Sequence, residues 1–182
     1  MFVRALTTAA FTYVALVYVL LPSLLFLSPR VHNFFIFMHY VAWPFRNYSN
    51  MEQFDLPNHV RNFYLPVAEN VSVGVWHMIP DDLEKTAQDG YDAVLSNPSY
   101  PIVLYLHGNS YNRGEPHRVA LMKLLASIGY QTVTFDYRGF GDSSGSPSEG
   151  ACVNDTLSLL AWIKQRSKDN TVVVWGHSLG TA

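Results

Sequence analysis

One cysteine, Cys152, stands among 182 residues, so an intrachain disulfide and any cysteine-cluster metal site are excluded, and the redox compartment stays open. Charge is scarce too: Asp, Glu, Lys and Arg make up 14% of the chain, well below the roughly 25% of an ordinary soluble protein. With 12 Lys and Arg against 14 Asp and Glu, the basic footprint that nucleic-acid binding requires is missing. The seven histidines are scattered with no H-E-x-x-H pair, so no metal is implied, and nothing else in the sequence calls for a cofactor. Internal repeats and low-complexity tracts are lacking as well. What the chain has instead is apolar residues, 49% of the total with a mean hydropathy of +0.07. That suits about one globular core with extra apolar length.

The extra length sits at the start. From Ala5 to Ser28 the sequence carries no charge, and as a helix it would reach roughly 36 Å, more than the hydrocarbon thickness of about 30 Å. The reading is a single retained membrane anchor over residues 1–28. The competing readings are a cleaved signal peptide, whose apolar stretch is shorter, and a buried helix of a soluble domain. Pro22 lies inside the run and predicts a kink. The uncharged stretch Val31 to Phe45 holds six aromatic rings, including Trp43 and Phe45, and reads either as an interfacial segment or as core packed on the following domain. Residues 29–58 are taken as this aromatic, interfacial linker. Arg4 precedes the helix while Arg30 and Arg46 follow it, so charge counting leaves the orientation open. Acceptor triplets for N-glycosylation at Asn47, Asn70 and Asn154 favour a lumenal position for the bulk of the chain, with Asn47 and Asn70 the better candidates.

Residues 59–182 read as the first half of an α/β domain. Val71 to Ile79 alternates like a half-buried strand, residues 81 to 100 read as a loop, and Pro101 to Leu106 is a short apolar run buried on both faces. Leu121, Leu124, Leu125 and Ile128 mark the inner face of a helix that Pro116 opens and Gly129 closes. Gln131 to Tyr137 is a further strand, followed by a glycine- and serine-rich loop. A second helix then places Val153, Leu157, Leu160 and Ala161 inward. Thr171 to Trp175 is one more buried strand. Strands alternating with helices imply a mostly parallel sheet.

The last strand runs into Gly176-His177-Ser178-Leu179-Gly180. G-x-S-x-G at a strand-to-helix turn is a nucleophile elbow, so Ser178 is the expected nucleophile and Gly176 and Gly180 the glycines that let strand and helix approach. Acyl transfer also needs donors for the developing oxyanion. The Leu179 backbone amide supplies one. The loop after Leu106 supplies the other, with the Asn109 amide preferred over Ser110. His107, Gly108, Arg138 and Asp142 are read as loop-shaping groups, and so is Asp136, because the acid and histidine of such a triad follow the serine in chain order. His177 is read as structural and Cys152 as a small helix-face residue.

Together HGNSYNRG, TFDYRGFGDSSGSPSE, VVVWGHSLGTA, the upstream VSVGVWHMIP and the N-terminal helix resemble the membrane-anchored α/β-hydrolase-domain lysophosphatidylserine lipases, also known as monoacylglycerol (arachidonoylglycerol) lipases. The likeness covers most of the chain. It implies an α/β-hydrolase fold, Ser178 as nucleophile, a lipid substrate, and a single-pass protein of the endoplasmic reticulum membrane with a lumenal catalytic domain. The sequence stops one turn past Ser178, before the triad carboxylate and histidine that the family carries. By this reading the 182-residue chain is a fragment or short isoform, essentially inactive alone and prone to associate through the open edge of its last strand. Two alternatives stay open: a non-catalytic, membrane-anchored binding module, and a peptidase or depalmitoylase on the same scaffold.

Overall fold

The computed structural model describes residues 2–40, 46–83 and 90–182, divided into two compact units, Met1–Phe37 and Met38–Ala182. Trp43 and Phe45 of the aromatic segment lie outside the described residues. In the first unit one continuous helical run extends from Phe2 to Leu27, 26 residues long and apolar enough to cross a membrane, with Arg4 inside its first turn rather than ahead of it. It comprises α1 (Phe2–Ala15), a π-type turn (Leu16–Leu20) and α2 (Leu21–Leu27). The π turn lies immediately ahead of Pro22, where the Leu21 amide donates to the Leu16 carbonyl five residues back. Such a local adjustment re-satisfies groups that a membrane-helix proline would orphan. Ser28 leaves helical geometry and its Oγ accepts from the Val31 amide, so it caps α3 (Pro29–Ile36) with Pro29 in the first turn.

The second unit is built on a five-stranded sheet of order β1-β2-β4-β3-β5. Its strands are β1 (Val60–Ala68), β2 (Val71–Met78), β3 (Ile102–Leu106), β4 (Gln131–Phe135) and β5 (Val172–Gly176). The first pairings, β1 with β2 and β2 with β4, are antiparallel. β3 lies parallel to both β4 and β5, joined through α5 (Pro116–Ser127) and α6 (Glu149–Ser167). Parallel neighbours need such helical crossovers. Every residue of β3 and β4 is buried, which is why β3 reads as an unbroken apolar run and β4 is β-branched or aromatic after Gln131.

An aromatic cluster fills the space between the sheet and α5. Trp76 meets Phe54 edge-on at 4.8 Å between ring centroids, its Nε1–H donates to the Tyr48 carbonyl at 2.9 Å, and Val119, Met122 and Ala126 of α5 close over it. Trp162 of α6 lies against Phe63 of β1 at 4.9 Å.

The structure departs from the sequence reading at five points. β1 was not foreseen: it is an edge strand with an irregular register at Pro66, and proline is tolerated there because one edge needs no ladder donors. Residues 81–100 are not all loop, since α4 (Tyr91–Leu95) lies within them. On α5 the buried face is Val119, Met122, Leu125 and Ala126, while Leu124 and Ile128 are 58% and 60% exposed. On α6 it is Cys152, Asp155, Leu159, Ile163 and Ser167, with Val153 and Leu157 exposed. Both helices carry apolar residues on two faces, so periodicity alone does not say which one meets the sheet. β5, expected to be fully buried, is half-exposed at Val173, Val174 and Trp175 because in this chain it forms the sheet edge.

Candidate active site

β3 and β5 end side by side, with Leu106 paired to Gly176, so the loops that follow them emerge together at the carboxyl ends of parallel strands. The His177 amide donates to the Leu106 carbonyl at 3.0 Å and ties the two exits. Ser178 then takes φ 53°, a left-handed geometry that is uncommon for a residue with a side chain and typical of a strained elbow. A short 3₁₀ turn over Ser178–Thr181 follows, and Leu179 lies within it. The glycines are sterically required. A Cβ on Gly176 would collide with the Gly180 carbonyl oxygen, and one on Gly180 with the Leu106 carbonyl oxygen.

The loop after β3 reaches over this elbow. A Cβ on Gly108 would stand 3.1 Å from His177 Nδ1 and 3.3 Å from Ser178 Cβ, so backbone at Gly108 is within touching distance of the serine. Asn109 comes next, and its side-chain Oδ1 accepts from the Met38 amide at 3.1 Å. His117 and His177 stand at the same place, ring centroids 6.4 Å apart. Burial, with Arg118 adding to it, holds His117 below the ordinary histidine value.

Behind the loop lies a buried ionic network. Arg113, with no exposed surface, donates through Nη1 to Asp136 Oδ2 and, at 2.6 Å, to Asp142 Oδ1; its Nη2 reaches Asn62 Oδ1 at 2.9 Å. Its own amide donates to Asp136 Oδ1 at 2.6 Å, and its guanidinium stacks over Tyr48 and Trp76. Tyr64 Oη donates to Asp142 Oδ2 at 2.7 Å. Burial works to raise the Asp136 carboxyl, but Arg113 and then His107 outweigh it and hold the group below the usual carboxylate range. His107 Nδ1–H donates to the Gly108 carbonyl at 2.7 Å, while Nε2 lies 3.3 Å from Asp136 Oδ1. Arg138 forks onto Asp155 of α6, its Nε at 2.9 Å from Oδ2 and Nη2 at 2.5 Å from Oδ1. Cys152 is pushed up to about 11 by burial, with Asp155 adding to it, so the thiol stays protonated at neutral pH. Among the described residues no group of three or more His, Cys, Asp or Glu is arranged to hold a metal.

Sequence reasoning placed Ser178, Leu179, Gly108 and Asn109 at one spot, and the structure brings those positions together. It missed Arg113, Arg118, Asp155 and Tyr137, whose hydroxyl donates to the His107 carbonyl. One signal was available for Arg113. Asp136 and Asp142 flank a buried strand end with only Arg138 nearby in sequence, and buried carboxylates demand a cation from elsewhere.

A family model for the alpha/beta hydrolase fold matches residues 101–182, the stretch that carries β3, the loop over the elbow and Ser178. That stretch has the α/β-hydrolase fold. It is 48% identical over 169 residues to the protein named lysophosphatidylserine lipase ABHD12 of Xenopus tropicalis, covering 90% of this chain and 43% of the relative. The Bos taurus protein of that name is 48% identical over 168 residues, covering 90% of this chain and 42% of the relative. Human Protein ABHD12B is 37% identical over 150 residues, 80% of this chain and 41% of that one. The chain thus spans less than half the length of the curated relatives it matches. Among solved structures it is similar to the Pyrococcus furiosus esterase Pf2001, with TM-score 0.53, 20% identity, 74% of this chain and 47% of that one. It is also similar to Est1E of Butyrivibrio proteoclasticus with bound ferulic acid, with TM-score 0.53, 21% identity, 65% of this chain and 43% of that one. At such identities the likeness is one of fold.

Proposed function

We propose that this hydrolase cleaves carboxylic esters of single-chain lipids, lysophosphatidylserine or monoacylglycerol, through an acyl-enzyme on Ser178. The observation that carries the reading is Ser178 at φ 53° at the end of β5, with Gly108 of the neighbouring loop against its Cβ. Ser178 Oγ attacks the ester carbonyl as a general base takes its proton. The Leu179 and Asn109 amides hold the oxyanion, the lipid alcohol leaves with a proton, and water then releases the fatty acid. In this fold the base and its carboxylate follow the serine in chain order. The substrate class follows from the 48% identity to proteins named lysophosphatidylserine lipase and from the anchor, which keeps the site beside lipids that reside in the bilayer. His107, Arg138 and Asp142 act as loop-shaping groups.

Residues 1–28 anchor the protein in the endoplasmic reticulum membrane, residues 29–58 follow the interface, and the hydrolase domain is lumenal. Asn47 and Asn70 support that side: both are exposed, and Asn70 sits at φ 56° in the turn between β1 and β2. In microsomes holding the full-length enzyme, fatty-acid release from lysophosphatidylserine is expected to fall at least about a thousandfold in Ser178→Ala, with an endoglycosidase-sensitive mass shift on the protein. Equal release by both forms would remove Ser178 from the chemistry.

A further inference from the structure

Arg118 stands in the first turn of α5, 3% exposed, and among the described residues no carboxylate lies within ion-pair distance of it. A guanidinium buried without a counter-ion is costly. Its hydrogen bonds go instead to backbone: Nη1 to the Asn112 carbonyl at 2.7 Å, Nη2 to the Ser110 carbonyl at 2.8 Å, and Nη2 again toward the Gly108 carbonyl at 3.5 Å. These are carbonyls of the loop that lies over Ser178. The two short bonds bracket Tyr111, held at φ 59°, a geometry a tyrosine avoids unless its surroundings impose it.

A trans peptide is planar, so its C=O and N–H point in opposite directions. Whatever fixes the Gly108 carbonyl also aims the Asn109 amide. That carbonyl accepts from His107 Nδ1 at 2.7 Å and from the Ser110 amide at 3.0 Å, with Arg118 beneath.

We propose that Arg118 is a positioning residue for ester hydrolysis: by gathering the carbonyls of residues 108, 110 and 112 on the side of α5, it holds the Asn109 amide in line with the oxyanion formed at Ser178. The proposal rests on Ser178 as nucleophile and adds a residue that the motif does not contain. Lysine cannot replace arginine here, because a single ammonium lacks the planar fork that spans two carbonyls.

The test uses the full-length enzyme with Arg118→Gln, Arg118→Lys and, as a control, Met122→Ala. Met122 is buried on the same helix away from the loop, so its variant lowers the melting temperature without disturbing the site. Both Arg118 variants are expected to lose about tenfold to a hundredfold in kcat, short of the 10²–10³ for removing an oxyanion donor outright, with KM within about threefold. The affinity for a trifluoromethyl ketone, which forms a tetrahedral oxyanion on the serine, should weaken by the same factor as kcat. Met122→Ala should keep both values. Wild-type kcat in either Arg118 variant, a rise in KM alone, or unchanged ketone affinity would overturn the proposal. So would aggregation of both variants, which would assign Arg118 to stability. If Ser178→Ala itself retained hydrolysis or ketone binding, the underlying nucleophile assignment would fail instead.

Discussion

At Arg113 one guanidinium serves Asp136, Asp142 and Asn62 while packed over Tyr48 and Trp76, so strand end, glycine-rich loop and aromatic core share a single cation. Arg113→Met preserves much of the apolar contact and removes the charge, leaving Asp136 buried with its partner gone. Breaking such a pair costs about 3–5 kcal/mol, a large share of a stability that is only about 5–15 kcal/mol for a native domain. Urea denaturation should show that loss, and Arg113→Lys should recover only part of it because an ammonium cannot span three acceptors. A loss under about 1 kcal/mol would mean that water reaches the network. Ser178 and its neighbours were legible because the elbow is written in five consecutive residues. Arg113 was not, because it reaches Asn62, 51 residues away, and no local spacing encodes that meeting; Arg118 was not, because its partners are backbone carbonyls of the preceding loop, which carry no side-chain signature.

Among the secondary elements, β2 carries the clearest pH signature. His77 is fully buried and pushed down to about 3, first by burial and then by Arg61. Gln131 donates through Nε2 to the Val94 and Tyr100 carbonyls, so its Oε1 accepts from His77 Nε2–H at 3.0 Å and the neutral ring fits. The unfolded chain takes up this proton near its ordinary value of about 6.5, whereas the folded one resists until about 3. Stability from this group is therefore complete above about pH 6.5 and is lost as pH falls toward 3, at up to about 1.4 kcal/mol per pH unit. Urea midpoints measured from pH 7 to pH 4 should fall more steeply in the wild type than in His77→Gln, and parallel curves would contradict the assignment. The strands β3 and β4 were readable from composition because strands buried on both faces are mostly apolar or β-branched, and β5 was readable from its run of three valines. β1 escaped notice because Arg61, Asn62 and Pro66 break its pattern. The inner faces of α5 and α6 escaped because Val119, Met122, Cys152 and the buried Asp155 compete with apolar residues on the opposite side.

For the molecule as a whole, the sheet has one functional consequence: placing β3 beside β5 sets the Gly108 loop over Ser178. Neither loop makes a site alone. The N-terminal apolar helix was legible from its uncharged length, whereas the position of β5 at the open edge depends on which strands are present to pair with it. The central claim is that this meeting turns Ser178 into a nucleophile, and covalent modification reads it most directly. The full-length protein is treated with a fluorophosphonate, digested, and the peptide containing Gly176-His177-Ser178-Leu179-Gly180 is sequenced by mass spectrometry. One phosphonyl adduct on Ser178, lost in Ser178→Ala and slowed by lysophosphatidylserine, is the expected result; an adduct on another serine, or labelling that survives in Ser178→Ala, would contradict the account.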